Sequence, residues 1–280
     1  TISCLKAQDA PHLEFLLIND GSTDSTLSLM RELCAGDPRF QIYDMENRGY
    51  GHACNFGIKK ATGEFFAIFE PDDYISPNFY SVLLDTAERY PQADVIKYNG
   101  IYRVNDTNTD TLYRWNSRFT GKILDKYALK RFWRSHPSVF NGIYRKSFIE
   151  QKMAFFCETP GASFQDAMFM VSLFYANPSI FIVDDIKYYY TIHEMQSTKH
   201  LDDKILFVTK AWELEDIWLS MNGIKDRNFF LYRIFCQMKT LDQKISPDNK
   251  YILNQKFKEI NKNNVYLNCM IATIPQKLGL

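Results

Sequence analysis

Short apolar runs alternate along this chain with longer stretches in which apolar residues recur every three or four positions. Residues 15–18, 41–44, 65–69 and 93–98 read as strands. Between them, Leu27, Met30 and Leu33 mark one amphipathic helix. A second helix runs from a glycine-bearing turn at 47–51 to about residue 60, and a third from about residue 77 to 89. This alternation predicts an α/β fold with a mainly parallel sheet between two helical layers. The pattern loosens after residue 100. Residues 103–120 are polar and read as a surface excursion; a helix at about 167–175 and an aromatic strand at 188–190 follow. Beyond residue 200 the spacing is helical, with one stripe at Phe207, Ala211, Leu214, Trp218 and Met221. A second stripe comprises Leu231, Ile234, Met238, Leu241 and Ile245. These stripes are expected to pack on each other or on the preceding domain; a dimer surface or a membrane-facing helix is the alternative.

Composition narrows the class. At 280 residues and 46% hydrophobic content, the chain can bury one large core, with or without an appendage. Thirty-three basic residues balance thirty-three acidic ones, which argues against a nucleic acid partner. Cys4, Cys34, Cys54, Cys157, Cys236 and Cys269 are scattered and read as reduced thiols of a cytoplasmic protein. No apolar run is long enough to span a bilayer; the run at 265–274 is expected to pack on the core or touch a membrane surface.

The chemistry gathers where strands end. The run at 65–69 leads into Glu70, Pro71, Asp72 and Asp73, three carboxylates within four positions. Such charges are either solvated or neutralised, and a hard divalent cation such as Mg²⁺ or Mn²⁺ prefers carboxylate oxygens. The strand at 15–18 feeds Asn19, Asp20 and Gly21, where Asp20 is a turn residue or a ligand group. In open α/β sheets, ligands sit beyond the carboxyl ends of the strands, and both acidic turns fall on that edge. Gly49 and Gly51 open a helix whose first amides favour anions. Asp166 stands at another helix start, where capping alone accounts for an aspartate and a catalytic carboxylate is the sharper reading.

Four segments in order carry a family resemblance: Ile18-Asn-Asp-Gly-Ser-Thr-Asp24, Asn47-Arg-Gly-Tyr-Gly-His-Ala-Cys-Asn-Phe-Gly57, Ala61-Thr-Gly-Glu-Phe-Phe-Ala-Ile-Phe-Glu-Pro-Asp-Asp73 and Phe164-Gln-Asp-Ala-Met-Phe169. Together the chain resembles a family 2 glycosyltransferase with the GT-A fold, of the kind that builds bacterial surface polysaccharides, over about residues 10–195. The resemblance implies a catalytic domain at 1–199 and a helical extension at 200–280. It implies an inverting, metal-dependent transfer from a nucleotide-sugar, a UDP-sugar, to a saccharide or lipid-linked acceptor. By this resemblance Asp166 is the catalytic base, and the acid that normally precedes it is replaced by Gln165. Asn19, Asp20, Gly49, Gly51 and Asp72 fall to the nucleotide-sugar. Asp72 and Asp73 fall to the metal, with Glu70 and His193 as weaker ligands, and the cofactor is Mn²⁺ or Mg²⁺.

The family normally opens with a strand that precedes the helix suggested at residues 1–8, so upstream residues are expected to be missing. Expected partners are the donor, the acceptor, and through the C-terminal helices a second copy or the inner face of the cell membrane. Two other classes compete: a nucleotidyltransferase of similar architecture and a non-catalytic binding or assembly subunit. The first would carry a glycine- and basic-rich phosphate loop near its first strand, and none is visible.

Overall fold

The computed structural model describes residues 1–10, 12–104, 111–114, 119–134, 138–161, 164–184, 187–192 and 202–262. It begins with a short helix, α1 (Ile2–Lys6), followed by a parallel pair of strands, β1 (Phe15–Asp20) and β2 (Phe40–Met45). The helix α2 (Thr26–Cys34) joins them, and Phe15 meets Phe40 across the pair with ring centroids 4.7 Å apart. The glycine turn then opens α3 (Tyr50–Lys60), which packs on β1.

Two larger sheets carry the rest of the α/β layer. Five strands lie in the order β3 (Phe65–Phe66), β9 (Gly142–Arg145), β5 (Val95–Tyr98), β10 (Ile180–Val183) and β8 (Lys122–Ile123). Here β5 and β10 run parallel, while β9 pairs antiparallel with both β3 and β5, and β8 antiparallel with β10. A four-stranded sheet contains β4 (Tyr74–Ile75), β11 (Tyr188–Thr191), β6 (Gly100–Val104) and β7 (Thr111–Arg114), with β6 and β11 parallel. The expected α/β class thus stands, built from mixed sheets. The apolar run at 65–69 divides between two tasks. Phe65 and Phe66 pair with β9, whereas Phe69 turns its ring edge-on to Tyr188 of the other sheet at 6.2 Å.

Helices α4 (Phe79–Arg89), α5 (Lys126–Arg134), α6 (Lys146–Lys152) and α7 (Gln165–Ala176) flank the sheets. The C-terminal stripes form α8 (Ile205–Met221) and α9 (Asn228–Leu241), and α10 (Pro247–Asn261) follows. Proline at its first turn and Ser246, whose hydroxyl accepts from the Asn249 amide, start that last helix. Ala211, Trp218, Leu231, Ile234 and Leu241 of the expected stripes are buried, whereas Met221 at the end of α8 is exposed. Phe229 of α9 stacks on Phe174 of α7 at 3.8 Å, and both contact Trp133 of α5. One contiguous core runs from Leu5 to Phe257. Among the described residues no helix is long and apolar enough to cross a membrane, and the apolar run at 265–274 lies outside them.

Candidate active site

The end of β1 is a knot of hydrogen bonds. Asp20 accepts from the amides of Arg48 (2.9 Å) and Gly49 (2.8 Å), one on each carboxylate oxygen, and so fixes the turn that opens α3. Asn19 is buried; its amide donates to the Asp44 carboxylate at 2.7 Å. An aspartate at this position would face Asp44 charge to charge, which accounts for the amide.

Gly49 and Gly51 lie directly against neighbouring backbone. A Cβ on Gly49, whose φ is +94°, would lie 2.5 Å from the Thr159 carbonyl oxygen, and one on Gly51 would lie 2.0 Å from that of Cys157. Both glycines therefore admit residues 157–161, a strap laid across the start of α3. The Tyr50 amide donates to the Gly161 carbonyl at 3.0 Å, which occupies one of the first-turn donors expected for an anion. Asn55 pairs through both side-chain atoms with the Phe156 backbone (2.9 Å each), and Glu158 takes Asn55 at 2.9 Å and His52 at 3.0 Å.

The acidic segment after β3 splits by direction. Asp73 is fully buried; one oxygen accepts from the Tyr188 hydroxyl at 2.6 Å and the other from the Thr191 amide at 3.0 Å. It braces β11 through these two bonds, whereas Asp72 beside it is exposed. Glu70 accepts from the Tyr50 hydroxyl at 2.7 Å. Burial pushes its carboxyl up to about 8, against the Tyr50 hydrogen bond, and the charges of Asp73, Asp166 and Asp72 push the same way.

Asp166 lies in the first turn of α7, where the helix dipole favours its anion. The residue before it, Gln165, is buried at 1% exposure. Its side-chain amide donates to the Thr159 carbonyl (3.2 Å), the Thr159 hydroxyl (3.1 Å) and the Gly161 carbonyl (3.0 Å). Thus the strap is tied to α3 on one side and to α7 on the other.

Three tyrosines complete the site, and sequence reasoning missed them. Tyr188 and Tyr190 share one face of β11 by strand alternation, and both stack on Phe140, at 4.7 and 5.6 Å. Burial, followed by the charges of Asp73, Asp72, Glu70 and Asp166, raises the Tyr190 phenol. Tyr50 reaches the same cluster from α3. The signal for β11 was the Tyr188-Tyr-Tyr190 triplet; nothing in the sequence pointed to Tyr50. His193 lies outside the described residues. Beneath the site, Lys97 of β5 is fully buried, donates to the Ser138 carbonyl and to the Tyr144 hydroxyl (2.9 Å), and is pulled down to about 7 by burial.

A divalent cation fits this donor set in one particular way. Among the described residues no three His, Cys, Asp or Glu side chains close into a metal cage. An exposed Asp72 beside Glu70, in a cluster whose charges repel, suits instead an ion held by one or two carboxylates and completed by substrate phosphates and water. Such an ion would restore the Glu70 anion that burial opposes.

Comparison with known proteins follows the same lines. The model of Glycosyl transferase family 2 matches residues 1–176. The putative glycosyltransferase EpsH of Bacillus subtilis (strain 168) is 27% identical over 194 residues, 69% of this chain and 56% of EpsH. The chain therefore spans little more than half of that relative. The uncharacterized glycosyltransferase EpsJ of the same organism is 22% identical over 275 residues, covering 92% of this chain and 78% of EpsJ. Among solved structures, S. aureus TarS 1-349 in complex with UDP-GlcNAc superposes with a TM-score of 0.64 at 18% identity, over 92% of this chain and 76% of that one. A second crystal structure of TarS 1-349 gives 0.67 at 19% identity, over 92% of this chain and 75% of that one.

Proposed function

The chain belongs to glycosyltransferase family 2, and from that premise we propose that it transfers a sugar, with inversion, from a UDP-sugar to a saccharide or lipid-linked hydroxyl. The observation that carries the proposal is the convergence of Asp72 and Glu70, from the turn between β3 and β4, with Asp166, from the first turn of α7, in one cluster of carboxylates. Asp166, in the first turn of α7, accepts the proton of the attacking hydroxyl. Direct displacement requires base and leaving group on opposite faces of the sugar, and Asp166 belongs to a different segment from Asp72 and Glu70. These two carboxylates would hold Mg²⁺ or Mn²⁺, which stabilises the charge developing on a leaving diphosphate. Asp20 sets the 47–49 turn, and in this reading the nucleotide base binds beside it. Structures of the same fold were solved with UDP-GlcNAc and with UDP, which supports UDP as the carrier. The setting we propose is surface polysaccharide assembly at the inner face of the cell membrane.

UDP release from a panel of UDP-sugars with either cation tests this reading. Asp166→Asn should lower kcat at least ~100-fold while leaving UDP affinity near its original value. Asp72→Ala should weaken UDP binding in the presence of the cation. No turnover with any donor, together with no nucleotide binding by calorimetry, would leave only a binding or assembly role.

A further inference from the structure

Gln165 occupies a position where the resemblance leads one to expect an acid, and it has no place in the chemistry above. Its surroundings explain the amide. Three oxygens of the strap face its side-chain nitrogen, two of them carbonyls that can only accept. A carboxylate there would bring a buried negative charge against those two carbonyl oxygens, which cannot donate to it. The strap that Gln165 holds is the segment that Tyr50 grips through its amide, and Tyr50 in turn holds Glu70 through its hydroxyl.

We propose that Gln165 is the positioning residue for Asp166: by pinning the first turn of α7 to the strap, it sets the base against the Tyr50–Glu70 side of the site. The role rests on Asp166 being the base. It makes a prediction opposite to the one drawn from family likeness, because restoring the acid should disable the protein. Gln165→Met keeps the volume without a donor, and Gln165→Glu puts the acid back. A small misplacement of a reacting group costs on the order of 100-fold in rate.

The test measures kcat and donor KM from pH 6 to 9 for the wild type, both variants, Asp166→Asn and the Gln165→Met/Asp166→Asn pair. Gln165→Met should lose ~100-fold in kcat at every pH with donor KM within ~3-fold. Gln165→Glu should lose progressively more as pH rises. Only its protonated carboxyl can donate to a strap carbonyl, and burial raises the pH at which that proton leaves. The double variant should be no slower than Asp166→Asn alone, since a residue acting through the base has nothing left to position. Full wild-type kcat in Gln165→Glu across the range, or losses that multiply in the double variant, would overturn the role. A wild type that turns over no donor refutes the functional reading instead. Amide exchange then decides the tie itself: Gln165→Met should speed exchange at Tyr50 about tenfold, and unchanged exchange rejects the pinning.

Discussion

Neighbouring carboxylates in this chain do unrelated work, and the division is set by which way each side chain turns. Asp73 faces inward to Tyr188 and Thr191, whereas Asp72 faces outward. Asp73→Ala strands a buried hydroxyl and a backbone amide, each worth about 1–3 kcal/mol when left unsatisfied. Thermal unfolding should therefore fall by several degrees in Asp73→Ala and stay within about a degree in Asp72→Ala, while nucleotide binding with the cation should show the reverse order. Equal destabilisation by both would remove the distinction. The sequence made the acidic character of this turn plain and put Asp166 at a helix start. It could not separate Asp72 from Asp73, because the partner that does so, Tyr188, lies 115 residues further on.

Elements were legible where their periodicity was local. The helices near 77–89 and 167–175 and the strand at 93–98 all form within a few residues of the expected bounds. The run at 65–69 misleads because its five apolar residues serve two sheets, and periodicity registers burial without registering which sheet provides it. α10 went unread, although Ser246 and Pro247 are a recognisable helix start. β5 is buried along its whole length and still carries a lysine. Below pH 7, Lys97 is protonated in both the folded and unfolded chain. Between pH 7 and about 10 the unfolded chain holds a proton that the folded one has lost, so stability should rise with pH. Denaturant unfolding from pH 7 to 9 should show the wild type gaining about 2 kcal/mol relative to Lys97→Met. Parallel curves for the two proteins would place the charge elsewhere.

Across the whole molecule, the C-terminal helices share the core of the α/β layer. Phe229, Phe174 and Trp133 come from three helices and form one aromatic contact. Phe229→Ala should cost about 3–5 kcal/mol and shift a single cooperative transition; two separate transitions would mean that the C-terminal helices fold as an independent unit. The strap has a different reach, since it belongs to no layer and touches the openings of both α3 and α7. Its consequence is one of inheritance. Gly49, Gly51, Thr159 and Gln165 are bound to one another through it, so a descendant that alters one inherits a misfit at the others. Among relatives, an acid in place of Gln165 should travel with a strap that turns amides inward, and a glutamine with one that turns carbonyls inward. The four positions should be gained and lost together, as a single character.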